Sequence, residues 1–376
     1  MRINTVVTTL LFALLIFGAT RVAEAREIDL SVRLEAKAAI RRGARFLEEA
    51  QLANGSWTEH PVITSLAALA LTKSGETDLR PANLNSALDY ISAQAHEDGA
   101  IWNRQSRQYP LYSTALSMLA LVRSGRPQDL PIIKAAREYL ISCQRRQIPR
   151  SNTAYGGFVH DKNRLPSLTI SQWVLEALYL TDHLDDNSRR SLKIYRDALE
   201  FIMRCQRMLE PSEVNACAGG TGCFHDFPGE GGGVMLERAP GTPRSAAFLT
   251  AVGLKSLIYA GCQPTNPLVK SAVQCLQRSY TVSENPGLGK KGFYTYLFVL
   301  AKTLDPLGIE KLSDTGGEEH FWRREVVLQL LKRQKGNGSW RNADPAWWEN
   351  HPELVTAYAL LTMDRCLDRE RVRIVK

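Results

Sequence analysis

The sequence alternates, six times over, between two kinds of helix-forming segment. The first kind is amphipathic, with apolar residues at i, i+3, i+4 and i+7 and charges on the opposite face. Each of these segments ends in glutamine, at Gln51, Gln94, Gln144, Gln206, Gln277 and Gln334. Helices of this type lie at a protein surface with one face against a core.

The second kind of segment is apolar on nearly every side, as in "PVITSLAALALTKSG" (61–75) and "HPELVTAYALLTM" (351–363). Most begin at or just after proline and several end at glycine, which suits the first turn and the end of a helix. Helices without a polar face belong in an interior. The alternation predicts an all-α, closed (α/α)6 toroid of six outer and six inner helices; an open stack of the same hairpins is the alternative.

A short motif recurs after the outer segments. "QLANGSW" at 51–57 returns as "QKGNGSW" at 334–340, and weaker copies end at Trp102 and Phe158. Glutamine at a helix end can satisfy free backbone groups, glycine supplies a left-handed stop, and tryptophan covers the joint with apolar surface. We therefore interpret the motif as a structural joint between hairpins, formed by Gln51, Gly55, Trp57, Gln334, Gly338 and Trp340.

The first copy of the motif resembles a known repeat. "RGARFLEEAQLANGSW" is similar to the QW repeat of triterpene cyclases and related prenyltransferases. The segments "GTPRSAAFLTAVGLKSLIYAG" and "DPAWWENHPELVTAYALL" resemble exported bacterial proteins that carry prenyltransferase and squalene-oxidase repeats. The resemblance covers residues 30 to 370 and implies the toroid of that superfamily, but it leaves the reaction open.

The residues that carry the superfamily's named reactions are not found. Squalene-type cyclases protonate an alkene with an Asp-x-Asp-Asp-Thr-Ala stretch at the start of an inner helix, whereas the starts here read "LYSTAL" (111–116), "FLTAV" (248–252) and "LVTAY" (354–358). The zinc ligands of protein prenyltransferases are also missing, with Val355 near the position of their histidine. The acidic "DHLDD" (182–186) has the wrong spacing and is interpreted as a solvated turn. Whether the protein is an enzyme stays open.

The loops from outer to inner helices carry the long insertions, which favours a binding site at the N-terminal ends of the inner helices. The longest loop, 207–243, contributes Cys217, Cys223, His225 and Asp226. The two cysteines could form a disulfide, or they could bind zinc with His225, or do neither. No cofactor is expected.

A second concentration of functional side chains precedes the last inner helix. Trp347, Trp348, Glu349 and His351 suit a sugar or prenyl ligand, with simple packing as the alternative. The candidate catalytic residues are therefore Glu349, His351, Asp226 and His225. The candidate ligand-binding residues are Tyr112, Arg244, Tyr294, Tyr296, Trp347 and Trp348.

The N-terminus predicts export. Met1 and Arg2 precede an apolar run at 6–17 and a small-residue site ending at Ala25, so residues 1–25 are expected to be a signal peptide and 26–376 a single toroid domain, periplasmic or secreted. The run is shorter than the roughly 20 residues of a membrane span, and an uncleaved anchor is the alternative. The net charge of +8 is spread along the chain, so no nucleic-acid partner is expected.

Three functions remain open on the sequence alone. The apolar inner segments favour an isoprenoid or other apolar ligand inside the barrel. A polysaccharide hydrolase or lyase would instead use carboxylates across the mouth, such as Glu349 or Glu353 opposite Asp226 or Glu230, and a sugar-like ligand. A non-catalytic scaffold would bind a peptide or protein at the rim.

Overall fold

The computed structural model describes residues 28–73, 81–106, 109–159, 164–185, 188–206, 222–228 and 246–368. The signal-like segment 1–25, and with it the expected cleavage, lies outside these residues, as does most of the 207–243 loop, including Cys217. Within the described ranges, no helix combines the length and the apolar character that crossing a membrane requires.

Twelve α-helices form the described part of the chain. The odd-numbered ones are the amphipathic segments: α1 (Leu30–Ala50), α3 (Pro81–Ser92), α5 (Leu130–Ser142), α7 (Ser188–Cys205), α9 (Pro267–Arg278) and α11 (Trp322–Arg333). The even-numbered ones are the apolar segments: α2 (Pro61–Lys73), α4 (Pro110–Ser124), α6 (Leu168–Leu180), α8 (Ala246–Tyr259), α10 (Phe293–Leu304) and α12 (Pro352–Leu367). The predicted order of outer and inner helices is confirmed.

Local sequence explains where these helices begin and end. The Asp29 side chain accepts the Val32 N–H at the start of α1, and Asn266 does the same for Leu268 at the start of α9. Helix α4 begins at Pro110, where no backbone N–H is needed, and ends at Gly125 in the left-handed conformation with φ 67°. A short antiparallel hairpin, β1 (Leu312–Ser313) and β2 (Glu319–His320), joins α10 to α11 with Leu312 opposite His320.

The six inner helices contact one another in a cycle. Each packs against the next in the order α2, α4, α6, α8, α10 and α12, and α12 packs against α2. The first outer helix, α1, contacts both α11 and α12. These contacts are those of a closed (α/α)6 toroid, and nearly all side chains of the inner helices are buried.

The first joint shows how one hairpin is tied to the next. Trp57 is fully buried, and its indole N–H donates to the Leu47 carbonyl at 2.8 Å. The Gln51 side-chain amide donates to the Gly55 carbonyl and to the Asn83 carbonyl in α3, both at 2.8 Å. One glutamine therefore holds its own loop and the next outer helix.

The last joint repeats this geometry on the first outer helix. The Trp340 indole donates to the Leu330 carbonyl at 2.8 Å, and Gln334 donates to Gly338 at 2.9 Å and to the Ala39 carbonyl in α1 at 2.8 Å. The Trp340 ring also fills the space beside Gly43, where an added Cβ would lie 2.8 Å from the ring. The two copies of the motif are therefore neighbouring positions in the ring.

The threonines of the Thr-Ala pairs belong to these joints. Thr356 accepts the Trp340 backbone N–H at 3.0 Å, Thr114 accepts that of Ile101 at 2.8 Å, and Thr250 accepts that of Phe224 at 3.3 Å. Thr64 does the same for Trp57 at 3.1 Å. A structural role explains why threonine is present without the aspartates that precede it in cyclases.

Candidate functional site

Four aromatic rings from the inner helices cross the middle of the barrel. Trp173 stacks on Phe298 with ring centroids 5.9 Å apart, and Tyr112 meets the Trp173 ring at 6.4 Å. Phe298 in turn contacts Tyr358 at 5.1 Å. We call these four residues the aromatic belt. There is a cavity on each side of this belt, one toward each end of the inner helices, and Trp173 lines both cavities.

The cavity at the N-terminal ends of the inner helices, which we call the mouth cavity, is small. Its volume is about 20 Å³, which leaves room for about one water molecule. Tyr112, Phe248 and Leu354 line it at the position where the middle aspartate of the cyclase motif would stand. No carboxylate is among its lining residues in the described part of the chain.

Two consecutive tryptophans also line the mouth cavity. Trp347 lies 4.6 Å from the Phe248 ring, and Trp348 lies 4.7 Å from His60. Both have positive φ, 58° for Trp347 and 61° for Trp348, a conformation that costs about 1 to 3 kcal/mol for a residue other than glycine. Thr58 and Glu59 have the same conformation, and the Trp347 ring packs directly against Gly292.

Polar atoms without partners lie beside these tryptophans. Within the described ranges, neither ring nitrogen of His60 has a hydrogen-bond partner, nor does Oε1 of the buried Gln172, which lines the mouth cavity. Burial, with a smaller contribution from His351, lowers the pKa of His60 to about 4. His60 is therefore neutral at pH 7, and Gln172 has an unused acceptor at the wall of the mouth cavity.

Asp226, a candidate catalytic residue, lies at the start of the inner helix α6. Its Oδ1 accepts the Thr169 backbone N–H at 2.7 Å, the Thr169 hydroxyl at 2.6 Å and the Ser167 hydroxyl at 3.0 Å. Its Oδ2 has no hydrogen-bond partner among the described residues. Burial raises the pKa of Asp226, and the hydrogen bonds only partly offset it. The carboxylate caps α6.

Glu349 makes the equivalent contacts at the start of α10. It is fully buried, and its Oε1 accepts the backbone N–H and the hydroxyl of Thr295, both at 2.7 Å. Its Oε2 accepts the Asn342 side-chain amide at 2.7 Å and the Tyr294 N–H at 3.3 Å. Burial raises the pKa of Glu349, and these hydrogen bonds offset the effect only in part. The carboxylate serves α10 as Asp226 serves α6.

The other candidate residues have different surroundings. Tyr296 is fully buried and its hydroxyl donates to the Thr281 carbonyl at 3.0 Å, whereas Tyr294 lines a separate surface cleft beside Arg333. His351 and His225 are half-buried, His351 directly before α12 and His225 directly before Asp226. Arg244 lies outside the described residues.

Cys223 pairs with a cysteine that the sequence analysis did not consider. Cys223 forms a disulfide with Cys275 in α9, with the two Cα atoms 5.4 Å apart. A bridge between Cys217 and Cys223 is therefore not formed, and Cys223 has no free thiolate to offer a metal beside His225. The sequence missed this pairing because Cys275 appears in it only as one position of an amphipathic outer helix.

Among the described residues, one cluster of side chains has potential ligand atoms close enough together to hold a metal ion. Asp314, Glu318 and His320, on the β1–β2 hairpin, place one potential ligand atom each within 4.8 Å of one another. Asp314 already accepts the Gly316 and Glu318 backbone N–H groups, and His320 lies 3.1 Å from Glu325. These contacts within the turn explain why the three side chains lie close together without a metal ion.

The acidic turn "DHLDD" is not simply solvated. Asp182 and Asp185 bind the guanidinium of Arg137 at 3.0 Å and 3.2 Å, and Arg137 is only 3% exposed. The predicted solvated turn is wrong, because α5 brings a buried arginine to the C-terminal end of α6. The turn is a structural ion pair.

The larger interior cavity, which we call the inner cavity, lies toward the C-terminal ends of the inner helices and has a volume of about 230 Å³. Its wall is mainly apolar, formed by Leu66, Leu69, Leu119, Trp173, Phe298 and Leu361. Thr72 and Arg123 also line it and are exposed, so the inner cavity reaches solvent at that end. A cavity of this size suits a small apolar ligand.

Glu176 and Lys302 line the inner cavity, and a third buried charge, Lys255, lies beside them. Glu176 accepts hydrogen bonds from Lys302 Nζ at Oε1 (2.5 Å) and at Oε2 (2.6 Å). Lys255 Nζ lies 2.8 Å from Oε2. Burial raises the pKa of Glu176, but the two lysines outweigh this and hold it well below the usual range. Glu176 is the carboxylate that lines the inner cavity, yet it is ionised and cannot protonate an alkene.

Sequence reasoning missed these three charges, although a signal was present. Each stands as a lone charged residue inside an apolar inner segment: Glu176 in "SQWVLEALYL", Lys255 in "TAVGLKSLIY" and Lys302 in "YLFVLAKTL". Charged residues are almost never fully buried unless paired, so charges of opposite sign in three such segments predict a buried ion cluster.

A further groove of about 550 Å³ lies outside the barrel. It is formed by residues of α7 and by the turn that follows α8, with the exposed Leu192 on one side and Pro306 on the other. Tyr259 lines this groove, and the centre of its ring lies 5.7 Å from Nζ of Lys255, beside the inner cavity. Any ligand-binding experiment must therefore distinguish this outer groove from the inner cavity.

Comparison with known proteins identifies relatives by structure alone. No family model and no curated protein sequence matches the chain. A variant of the type II terpene cyclase MstE from Scytonema, solved with its substrate geranylgeranyl dihydroxybenzoate, superposes with a TM-score of 0.58 over 90% of this chain and 99% of that chain, at 13% identity.

Two further structures extend this comparison. A protein from Actinoplanes covers 89% of this chain and 100% of its own, with a TM-score of 0.53 and 15% identity. A glycosidase variant solved with glucose covers 90% and 98%, with a TM-score of 0.51 and 11% identity. Identities this low establish the fold and not the activity. The chain shares a helical toroid fold with the type II terpene cyclase and with the glycosidase.

Proposed function

We propose that the protein binds an isoprenoid or similar apolar small molecule in the inner cavity. The observation that carries this is the wall of that cavity, in which leucines from α2, α4 and α12 face Trp173 and Phe298. Apolar cavities with a few placed polar groups are the usual form of small-molecule sites. The isoprenoid substrate bound by the structurally similar MstE supports the same ligand class.

The proposal is binding, without proton-initiated cyclisation. That reaction needs a carboxylic acid kept protonated next to the alkene. Tyr112, Phe248 and Leu354 occupy the corresponding positions at the mouth, and Glu176 in the interior is ion-paired with two lysines. Among the described residues, those that line the inner cavity therefore offer space for an apolar chain but no protonated acid to start its cyclisation.

A cavity-filling variant tests the proposal. Geraniol, a small isoprenoid alcohol, is expected to bind the purified chain and to quench the fluorescence of Trp173. Leu361→Trp fills the inner cavity and is expected to abolish this binding, whereas Leu192→Trp fills the outer groove and is expected to leave it unchanged. Loss of binding in Leu192→Trp alone would place the ligand outside the barrel, and no binding to the unmodified chain would refute the proposal.

Sugar chemistry at the mouth is a second candidate. The observation that favours it is Asp226, whose pKa is raised by burial, as in a general acid, and whose Oδ2 has no partner among the described residues. The glycosidase with the same fold supports this candidate. Against it, Asp226 and Glu349 each cap an inner helix. Unchanged hydrolysis of a polysaccharide panel by Asp226→Asn and Glu349→Gln would exclude both residues as catalytic groups.

We further propose that the protein is exported. The signal-like residues 1–25 support this, and so does the Cys223–Cys275 disulfide, because disulfides persist in oxidising compartments. Fractionation of the source cells tests the location, and the N-terminal sequence of the protein recovered outside the cytoplasm tests cleavage after Ala25. An intact N-terminus in the membrane fraction would favour an anchor instead.

A further inference from the structure

We propose that the inner cavity is a site for the acidic head group of an amphipathic small molecule, such as an isoprenoid chain that ends in a carboxylate. Lys302 is the residue that would contact the head group, and the leucines of the cavity wall would contact the chain. This inference rests on the proposed function and adds to it the charge of the ligand.

The first argument is the surplus of positive charge. Glu176 is a single carboxylate between two ammonium groups, those of Lys255 and Lys302. Arg123 and Arg365 also line the cavity. Asp305 forms an ion pair with Arg365 at 2.8 Å, but the same carboxylate also pairs with Arg323 at 2.5 Å. Among these groups the positive charges outnumber the negative ones, and an anionic ligand would reduce the imbalance.

The second argument is position. Lys302 lies in the last turn of α10 and lines the inner cavity, where the negative end of the helix dipole favours a cation. Lys255 lies behind it, fully buried, with Nζ 3.9 Å from the centre of the Trp173 ring. Lys255 does not line the cavity, so Lys302 is the lysine of this pair that a ligand can reach.

The third argument is the cost of burying these charges. Burial lowers the pKa of Lys302 well below its usual range, and the attraction of Glu176 only partly offsets this. Replacing a buried ion cluster by apolar residues of similar size is often neutral or stabilising, so stability alone does not account for such a cluster. A bound carboxylate would stabilise the charged form of Lys302 and give the cluster a function.

The shape of the inner cavity fits a ligand with two chemically distinct parts. Most of its wall is apolar and is formed by leucines, Trp173 and Phe298. Its polar atoms are concentrated at Glu176, Lys302 and the arginines. The exposed Arg123 stands where the cavity reaches solvent, which favours the entry of an anion.

The test compares two ligands with one carbon skeleton, geranate and geraniol, by calorimetric titration into the full chain. Geranate is expected to bind about tenfold or more tightly, because a hydrogen bond to a charged group contributes more than one to a neutral group. Lys302→Met should weaken geranate by about the same factor and geraniol much less. Glu176→Gln should strengthen geranate. Lys311→Met, which removes an exposed lysine of the β1–β2 hairpin, should change neither.

The outcomes separate this inference from the proposed function. Equal affinities for the two ligands, with Lys302→Met affecting both or neither, would overturn the head-group site while leaving apolar binding in place. If neither ligand binds, both proposals fail. A purely structural role for the cluster would weaken both ligands together in Lys302→Met. If that variant does not fold, the sign of the Glu176→Gln effect on geranate decides.

Discussion

At the scale of single residues, glycine decides whether a joint can form. Gly338 has φ 86°, and a Cβ there would lie 2.4 Å from the Arg42 carbonyl oxygen. Gly336, two residues earlier, has nothing within 4 Å of an added Cβ. We expect Gly338→Ala to lower the free energy of unfolding by about 2 kcal/mol or more and Gly336→Ala by less than about 0.5 kcal/mol. Urea denaturation measures both, and equal losses would contradict the close approach.

The buried tryptophans of the joints are expected to contribute to stability and not to ligand binding. Trp57 is fully buried, whereas Trp102, which ends a weaker copy of the motif, is half-buried. Trp57→Ala is expected to cost about 3 to 5 kcal/mol, and Trp102→Ala clearly less. Geraniol affinity per folded molecule should be unchanged in both. A Trp57→Ala protein that is equally stable but does not bind would show that the motif belongs to the site.

His60 makes stability depend on pH, because burial lowers its pKa from 6.5 to about 4. Between these values the unfolded chain takes up a proton that native His60 does not. The unfolding free energy is therefore expected to fall by up to about 3 kcal/mol as the pH is lowered from 6.5 to 4, and this loss should be absent above pH 6.5.

The comparison of variants isolates that contribution. Urea denaturation at pH 7 and pH 4.5 should show a smaller acid-induced loss in His60→Phe than in the unmodified chain. The exposed His183 is the matched control, and His183→Gln should behave like the unmodified chain. The same loss in all three proteins would mean that other groups cause it.

At the scale of helices and joints, sequence pattern was sufficient for the fold. Hydrophobic periodicity distinguishes α1 from α2, and the recurring glutamine marks where one hairpin ends. The pattern did not show what Thr114, Thr250 and Thr356 do, because their partners are backbone N–H groups that only folding brings near. Short polar contacts of this kind have no signature in periodicity.

The threonine contact is the basis of a test at the last joint. Thr356→Val keeps the shape of the side chain but removes the acceptor of the buried Trp340 N–H. The loss of one partner of a buried hydrogen bond is expected to cost about 1 to 3 kcal/mol. Thr72→Val, at an exposed position of α2, is the control and should cost much less. Urea denaturation again provides the measurement.

For the whole molecule, the ring was predictable and its site only in part. Trp347 and Trp348 lie at the mouth, as the converging helix starts suggest. The larger inner cavity lies toward the other end, where Glu176, Lys255 and Lys302 meet from α6, α8 and α10. Their meeting depends on the faces that three helices present to one interior, a property of tertiary packing that spacing along the chain does not encode.

The Cys223–Cys275 disulfide ties the long 207–243 loop to the outer helix of the following hairpin, across 52 residues of sequence. A cross-link over a loop of this length typically stabilises a protein by about 2 to 4 kcal/mol, chiefly by restricting the unfolded chain. The double variant Cys223→Ser, Cys275→Ser is expected to lose that amount in urea denaturation.

Reduction provides the matched experiment. Dithiothreitol should lower the stability of the unmodified chain to that of the double variant and leave the double variant unchanged. The other cysteines are present in both proteins and so cancel in the comparison; they are Cys143, Cys205, Cys262 and Cys366, which are free, and Cys217, which lies outside the described residues. If the reductant has no effect on the unmodified chain, Cys223 and Cys275 are not joined, and the disulfide no longer supports an oxidising compartment.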